Sequence, residues 1–223
     1  MARALKVTSD IYMVGDSSLS HPYDCSVYLV DAGELVLIDC GAGLSYTTLI
    51  DNIKSTGRDI RMLKAILVTH AHIDHIGALK RFKDEFGVDI IAHQLDAQAI
   101  ETGRGVGAEM YGVDYEPCQV NTKIEGEEQI IAAGEKEIRV LHIPGHTQGS
   151  IAAYIDSPEE RILFGQDIHG PYIPQWGADI EKARESLQKL IDLKADTLCE
   201  GHFGIYRPAK SVEEYIRGYL NSI

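Results

Sequence analysis

The stretch Thr69-His70-Ala71-His72-Ile73-Asp74-His75 follows directly on the apolar run Leu63-Lys64-Ala65-Ile66-Leu67-Val68. Three imidazoles and a carboxylate fall within six residues, where a buried strand gives way to a loop. Polar donors packed that densely beside a core are costly unless a cation collects them. Imidazole mixed with carboxylate suits zinc, iron or manganese and not calcium, which takes oxygen ligands. In an extended segment residues i and i+2 share a side, so His70 and His72 are placed to grip one ion. Asp74 and His75 then turn at the start of a helix and face a second ion. That helix takes Ile76, Leu79 and residues 82–86 as its apolar stripe and ends at Gly87.

Upstream, residues 11–14, 27–30 and 35–38 form a meander of strands, with Asp31-Ala32-Gly33-Glu34 as the hairpin turn between the last two. Asp39 stands at the end of the third strand, before the bend Cys40-Gly41-Ala42-Gly43. It is placed to brace the histidine loop by accepting hydrogen bonds from backbone or imidazole. No phosphate-cradling glycine pattern is present there. Ser45 is the expected N-cap of a helix running to about Gly57 on Tyr46, Leu49, Ile50 and Ile53.

Residues 88–92 read as a further strand closed by His93, which has no neighbouring donor in the sequence and reads as structural. Residues 94–126 mix glycine, tyrosine and methionine and read as a mobile insertion over a pocket, with Tyr111 and Tyr115 either contacting a substrate or packing on the core.

The second half repeats the pattern of apolar strand followed by polar turn. Residues 138–143 lead to Pro144-Gly145-His146-Thr147-Gln148-Gly149-Ser150, and residues 151–155 return as a strand. Residues 161–165 end in Gln166-Asp167, and Thr197-Leu198-Cys199 ends in Glu200-Gly201-His202. Residues 179–193 form an amphipathic helix. Ser211-Val212-Glu213-Glu214 reads as a capping box opening a last helix. Strand ends thus deliver His70, His72, His146, Asp167 and His202, and with no linker between the halves the chain reads as one domain, 1–223.

Composition narrows the partners. With 34 acidic and 21 basic side chains the net charge is −13, which repels phosphodiester backbones and anionic lipid. No nucleic acid or membrane partner is expected, and a small-molecule substrate is. No apolar segment is long enough to cross a bilayer, and residues 1–10 lack the apolar core of a signal peptide. Cys25, Cys40, Cys118 and Cys199 are scattered, with no C-x-x-C pair, which points to small buried side chains in a reduced, cytoplasmic setting. Oligomeric state is not legible, a homodimer being one option.

The ordered set H-x-H-x-D-H, then P-G-H-T-x-G-S, then Asp167 at a strand end, then Gly201-His202, resembles the metallo-β-lactamase superfamily over essentially the whole chain. The resemblance implies an α/β fold, a four-layer αβ/βα sandwich of two mixed β-sheets flanked by helices, with metals at one edge. It implies that His70, His72 and His146 hold a first ion, that Asp74, His75 and His202 hold a second, and that Asp167 bridges them. The cofactors would be two divalent ions, zinc first, with iron or manganese as alternatives. Asp39 matches the family's early buried aspartate, a support and not a ligand. The family's true β-lactamases generally lack the bridging aspartate, so Asp167 argues against antibiotic hydrolysis as the main role. The flavodiiron proteins place Glu where His72 stands. The segment from Ile168 to Tyr172 also lacks the glycine- and arginine-rich string common to glyoxalase II and the persulfide dioxygenases.

The function expected on this basis is hydrolysis of an ester, thioester or lactone carbonyl by a hydroxide shared between two metals. Asp74 is the expected proton acceptor, and His169 and Tyr172 are candidates to donate to the oxyanion or leaving group. His21 and His142 pair with nothing in the motif set. The competing readings are an iron-dependent sulfur dioxygenase, a small-molecule phosphodiesterase and a metal-dependent binding protein without turnover.

Overall fold

The computed structural model describes residues 4–223. Seven strands form one sheet in sequence order: β1 (Leu5–Lys6), β2 (Ile11–Gly15), β3 (Val27–Asp31), β4 (Leu35–Ile38), β5 (Leu63–Leu67), β6 (Asp89–His93) and β7 (Thr122–Ile124). Pairing is antiparallel from β1 to β4 and parallel from β4 to β7. Six strands form the second sheet: β8 (Glu128–Ala133), β9 (Lys136–His142), β10 (Ile151–Asp156), β11 (Arg161–Gln166), β12 (Thr197–Glu200) and β13 (Ile205–Tyr206). It is antiparallel throughout except where β11 and β12 run parallel. Both sheets are therefore mixed.

The helices are α1 (Tyr46–Ser55), α2 (Ile73–Ile76), α3 (Leu79–Phe86), α4 (Gln94–Thr102), α5 (Ala108–Tyr111), α6 (Ile180–Asp192) and α7 (Ala209–Leu220). Alternation along the strands sorts the apolar residues into layers. Tyr28, Val30, Val36 and Ile38 point inward against Ile138, Val140 and Phe164 of the other sheet. Their neighbours Val27, Leu29, Leu35 and Leu37 point outward onto α1, α3 and α4 through Leu49, Ile53, Phe82 and Ile100. On the far side Leu163 and Leu198 meet Leu187, Leu190, Val212 and Ile216 of α6 and α7. The result is the expected αβ/βα sandwich. None of the described helices is long and apolar enough to cross a membrane.

Parallel strands present their C-terminal ends on one side. β4 and β5 do so in the first sheet, β11 and β12 in the second, and β9 runs parallel to β11 because two antiparallel steps separate them. The two edges are tied together there. Ile151 N donates to Thr69 O (2.9 Å), Ser26 N to Gly201 O (2.6 Å) and Tyr28 Oη to Glu200 O (2.9 Å).

Several local expectations are corrected. The helix from His75 to Gly87 is two helices, α2 and α3, interrupted after Ile76, where Gly77 N donates to Gly41 O (2.8 Å) and the backbone lies so close to Ala42 that no Cβ fits. Ser45 precedes α1 but its hydroxyl donates to the Asp24 carboxylate, so it gives the helix no side-chain cap. The last helix begins at Ala209, two residues before the supposed capping box, because the Pro208 carbonyl already accepts from Ser211 N (2.8 Å) and Val212 N (3.3 Å). Residues 94–126, expected as an insertion over a pocket, do lie over one through residues 105–111, but they are built of regular elements. They hold α4, which buries Ala97 and Ile100, then the short α5 and β7. His93 and His142 do have a partner, each other, stacked with ring centroids 4.0 Å apart, and His93 Nδ1 accepts from Leu95 N (3.4 Å) at the start of α4.

Candidate metal centre

The seven donors named from the sequence meet at the edge where the strand ends converge. In the first group His72 Nδ1 lies 3.0 Å from His70 Nε2 and 2.9 Å from His146 Nε2. The tautomers follow from the other ring nitrogens. His146 Nδ1 is 3.1 Å from the Pro171 carbonyl and must donate to it. Thr69 Oγ1 donates to Asp39 Oδ2 (2.6 Å), so it accepts from His70 Nδ1 (3.2 Å). Both Nε2 atoms are then lone pairs aimed at His72 Nδ1, which has at most one proton to offer. A cation on that point is what the three nitrogens fit. Burial lowers the His70, His72 and His146 pKa values, His146 to about 4, so these rings stay neutral and ready to ligate at pH 7.

In the second group His202 Nε2 is 3.2 Å and His75 Nε2 3.7 Å from Asp74 Oδ2. Asp167 spans the two groups with one oxygen toward each. Its Oδ2 lies 3.5 Å from His146 Nε2 and 3.9 Å from His70 Nε2, and its Oδ1 lies 3.3 Å from His75 Nε2 and 3.4 Å from His202 Nε2. His75 Nε2 and Asp167 Oδ1 are fully buried and have no hydrogen-bond partner. Orphans of that kind are expensive, and a divalent ion between them would satisfy both.

The electrostatics agree. Burial opposes charge on His75, but the Asp167, Asp39 and Asp74 carboxylates outweigh it and hold its pKa well above the usual value. Burial is likewise overcome at His202, where the nearby Asp167 and Asp74 carboxylates push the pKa up to about 10. Positive charge is therefore wanted where these side chains meet.

The supports are as telling as the donors. Asp39 Oδ1 accepts from Thr69 N (2.8 Å) and its Oδ2 from Thr69 Oγ1 and His75 Nδ1 (2.7 Å), which turns His75 Nε2 toward the site. Asp39 and Gln166, each at a strand end beside the site, sit at φ of 60° and 42°. Such left-handed backbone costs on the order of 1–3 kcal/mol per residue and is retained where it aims a functional group. Gly201 presses so closely on Asp167 and Gln166 that no Cβ fits there.

Two supports escaped the sequence reading. Asp96 Oδ2 accepts from Ala71 N and Thr147 Oγ1 and its Oδ1 from Gly149 N, all at 2.9 Å, and so clamps the His70–His72 loop to the His146 turn. Glu200, fully buried, accepts from His202 N (2.6 Å) and Phe203 N (2.8 Å) through Oε2, while its Oε1 holds His169 Nδ1 at 2.9 Å. Asp96 has no local signal, since its partners lie 25 to 53 residues away, and Glu200 has none in its side-chain partner, since its near bonds are to backbone and His169 lies 31 residues away.

A cavity of about 590 Å³ opens onto the donors. His169 lines it. Tyr172 does not, and its expected role as a proton donor fails on geometry: its hydroxyl donates to Ile168 O (2.7 Å). The phenol at the cavity is that of Tyr111, beside Asp74. Burial and then the Asp74 charge push its pKa up to about 12, so it stays protonated. Tyr115 instead packs on the core and donates to Ile100 O (3.1 Å).

A family model described as "Metallo-beta-lactamase superfamily" matches residues 22–202. The acyl-coenzyme A thioesterase MBLAC2 of Gallus gallus is 25% identical over 228 aligned residues, covering 89% of this chain and 79% of that protein. The hydroxyacylglutathione hydrolase GloC of Haemophilus influenzae is 27% identical over 146 residues, covering 65% and 66%. Among solved structures, BJP-1, a subclass B3 metallo-beta-lactamase of Bradyrhizobium japonicum, superposes with a TM-score of 0.80 at 23% identity, over 98% of this chain and 89% of that one. At that identity the likeness speaks to the fold.

Proposed function

Because this chain belongs to the metallo-beta-lactamase superfamily, we propose that it is a dinuclear metal-dependent hydrolase acting on the carbonyl of a small ester, thioester or lactone. The observation that carries this reading is Asp167, whose two carboxylate oxygens face the two donor groups separately. His70, His72 and His146 would hold one divalent ion and Asp74, His75 and His202 the other, zinc being the first choice for this donor set. When bound, such a pair supplies an acidified water and an electrophilic pull on the carbonyl oxygen.

The rest is the work of the side chains. Asp74 lines the cavity and takes the proton of the attacking water. Tyr111, a neutral phenol beside it, donates a hydrogen bond to the substrate. Asp39 keeps His75 in one tautomer, and Glu200 holds the His202 turn in place. The relatives named as a thioesterase and a hydroxyacylglutathione hydrolase support acyl transfer to water. The net charge of −13 favours a small molecule over a polynucleotide.

The test is a screen of acyl esters, thioesters, lactones and phosphodiesters with protein stripped by chelation and then reloaded. Turnover of carbonyl substrates that vanishes with the metal and returns with it is expected. Oxygen uptake on a sulfur substrate with one iron per chain, or activity confined to phosphodiesters, would overturn the reading.

A further inference from the structure

Three large apolar side chains left in water stand around one opening. Met110 on α5 is 56% exposed, Trp176 on the 3-10 turn Pro174–Trp176 is 48% exposed, and Phe203 just beyond His202 is 58% exposed. They come from three segments far apart in sequence, yet all line the cavity that leads to the metal donors, with Val106 and Tyr111 continuing the apolar wall. Single exposed apolar residues are ordinary, but several converging on one functional cavity mark a surface that is covered when occupied.

The charges lining the same cavity are equally one-sided. Beyond the metal donors and His169, the one charged side chain on it is Glu109, and no lysine or arginine lines it among the described residues. A phosphate or carboxylate carried away from the reacting carbonyl would meet a carboxylate and find no counter-charge.

Resting on the hydrolytic reading above, we propose that the substrate is an uncharged ester, thioester or lactone with an apolar chain of medium length. The chain lies against Met110, Trp176 and Phe203 while the carbonyl reaches the Asp167 end. Polyanionic carriers such as nucleotide thioesters are disfavoured as leaving groups. Arg104, exposed and next to Gly105 of the cavity wall, is the cation adjacent in sequence to the lining that would reverse this preference if it turned inward.

Trp176 is the single tryptophan of the chain, so its emission reports occupancy without turnover. Metal-loaded protein is titrated with decan-2-one and with 9-oxodecanoate, which differ only in a carboxylate at the far end. The ketone should blue-shift the emission saturably and bind at least tenfold more tightly than the acid. In parallel, kcat/KM should rise roughly two- to fourfold per methylene from p-nitrophenyl acetate to octanoate, and octanoyl N-acetylcysteamine should exceed octanoyl coenzyme A at least tenfold. Met110→Ser and Phe203→Ser, both at exposed positions, should weaken ketone binding and lower the octanoate rate more than the acetate rate.

Equal or tighter binding of the acid, or a preference for the coenzyme A thioester, overturns the proposal. If Arg104→Ala abolishes that preference, the cavity is an anion site. Loss of all ester turnover with selective ketone binding intact would reject the hydrolytic reading alone.

Discussion

Asp39 and Glu200 show how much of a metal site lies in residues that touch no metal. Asp39→Asn keeps the bulk but loses the anionic acceptor for His75 Nδ1, freeing the ring to change tautomer. Removing such a support typically costs about 10–100-fold in metal affinity, so a chelator competition should show that loss with the fold intact by circular dichroism. Glu200→Gln should act likewise on the His202 side, because Oε2 alone accepts from both His202 N and Phe203 N while Oε1 holds His169, and an amide can keep only one of these sides as an acceptor. Gly201→Ala is the steric counterpart. Its Cβ would enter Asp167 and the Gln166 backbone, and metal content should fall although no donor has been removed. His169→Ala, by contrast, leaves the seven donors in place, and metal content should stay at the wild-type level while turnover falls.

At the level of the elements, Asp96 joins α4 to both histidine loops. Asp96→Ala would orphan Ala71 N and Gly149 N in the interior and leave the Thr147 hydroxyl with Ser150 Oγ (2.9 Å) alone. Each buried orphan costs about 1–3 kcal/mol. A loss of at least about 2 kcal/mol would lower the melting temperature by about 4–8 °C, with weaker metal binding by the His70–His72–His146 group. This clamp also shows where the sequence stopped being readable. The donors were legible because each sits within a few residues of a strand end and the imidazole spacing is local. Asp96 was not, since nothing near it in sequence announces partners up to 53 residues away. The same holds for the His93–His142 stack. Helix α4 hid for a different reason: its buried face holds little beyond Ala97 and Ile100, too weak a period to stand out between glycines. Tyr172 stands out in the sequence for its place just past Asp167 and Tyr111 only as part of residues 94–126, and it is the turn after Asp167 that shows the Tyr172 hydroxyl already spent on Ile168. The break between α2 and α3 likewise falls where Gly77 packs on Ala42, a contact that no propensity encodes.

On the scale of the whole molecule, two mixed sheets bring parallel strand ends to one edge, and donors from both halves of the chain meet there. Acid should test the joint between the halves. Burial, reinforced by His142, depresses the His93 pKa to about 4, against about 6.5 when unfolded. The unfolded chain then binds the extra proton between those values, so this stability is fully present above about pH 6.5 and is lost as pH falls toward 4. Denaturant midpoints measured across that window should drop with falling pH, and His93→Gln should flatten the slope. Bound metal should raise the melting temperature in proportion to the logarithm of free metal, since it binds the folded chain. At the edge where the strand ends converge one carboxylate, Asp167, would hold two ions together. Elemental analysis of metal-loaded, dialysed wild type beside Asp167→Ala tests this bridge most directly. Two ions per chain are expected in the wild type, and in the variant fewer than two, with activity lowered beyond the roughly 10–100-fold typical of losing an outer support. Two ions and full rate in Asp167→Ala would contradict the bridge.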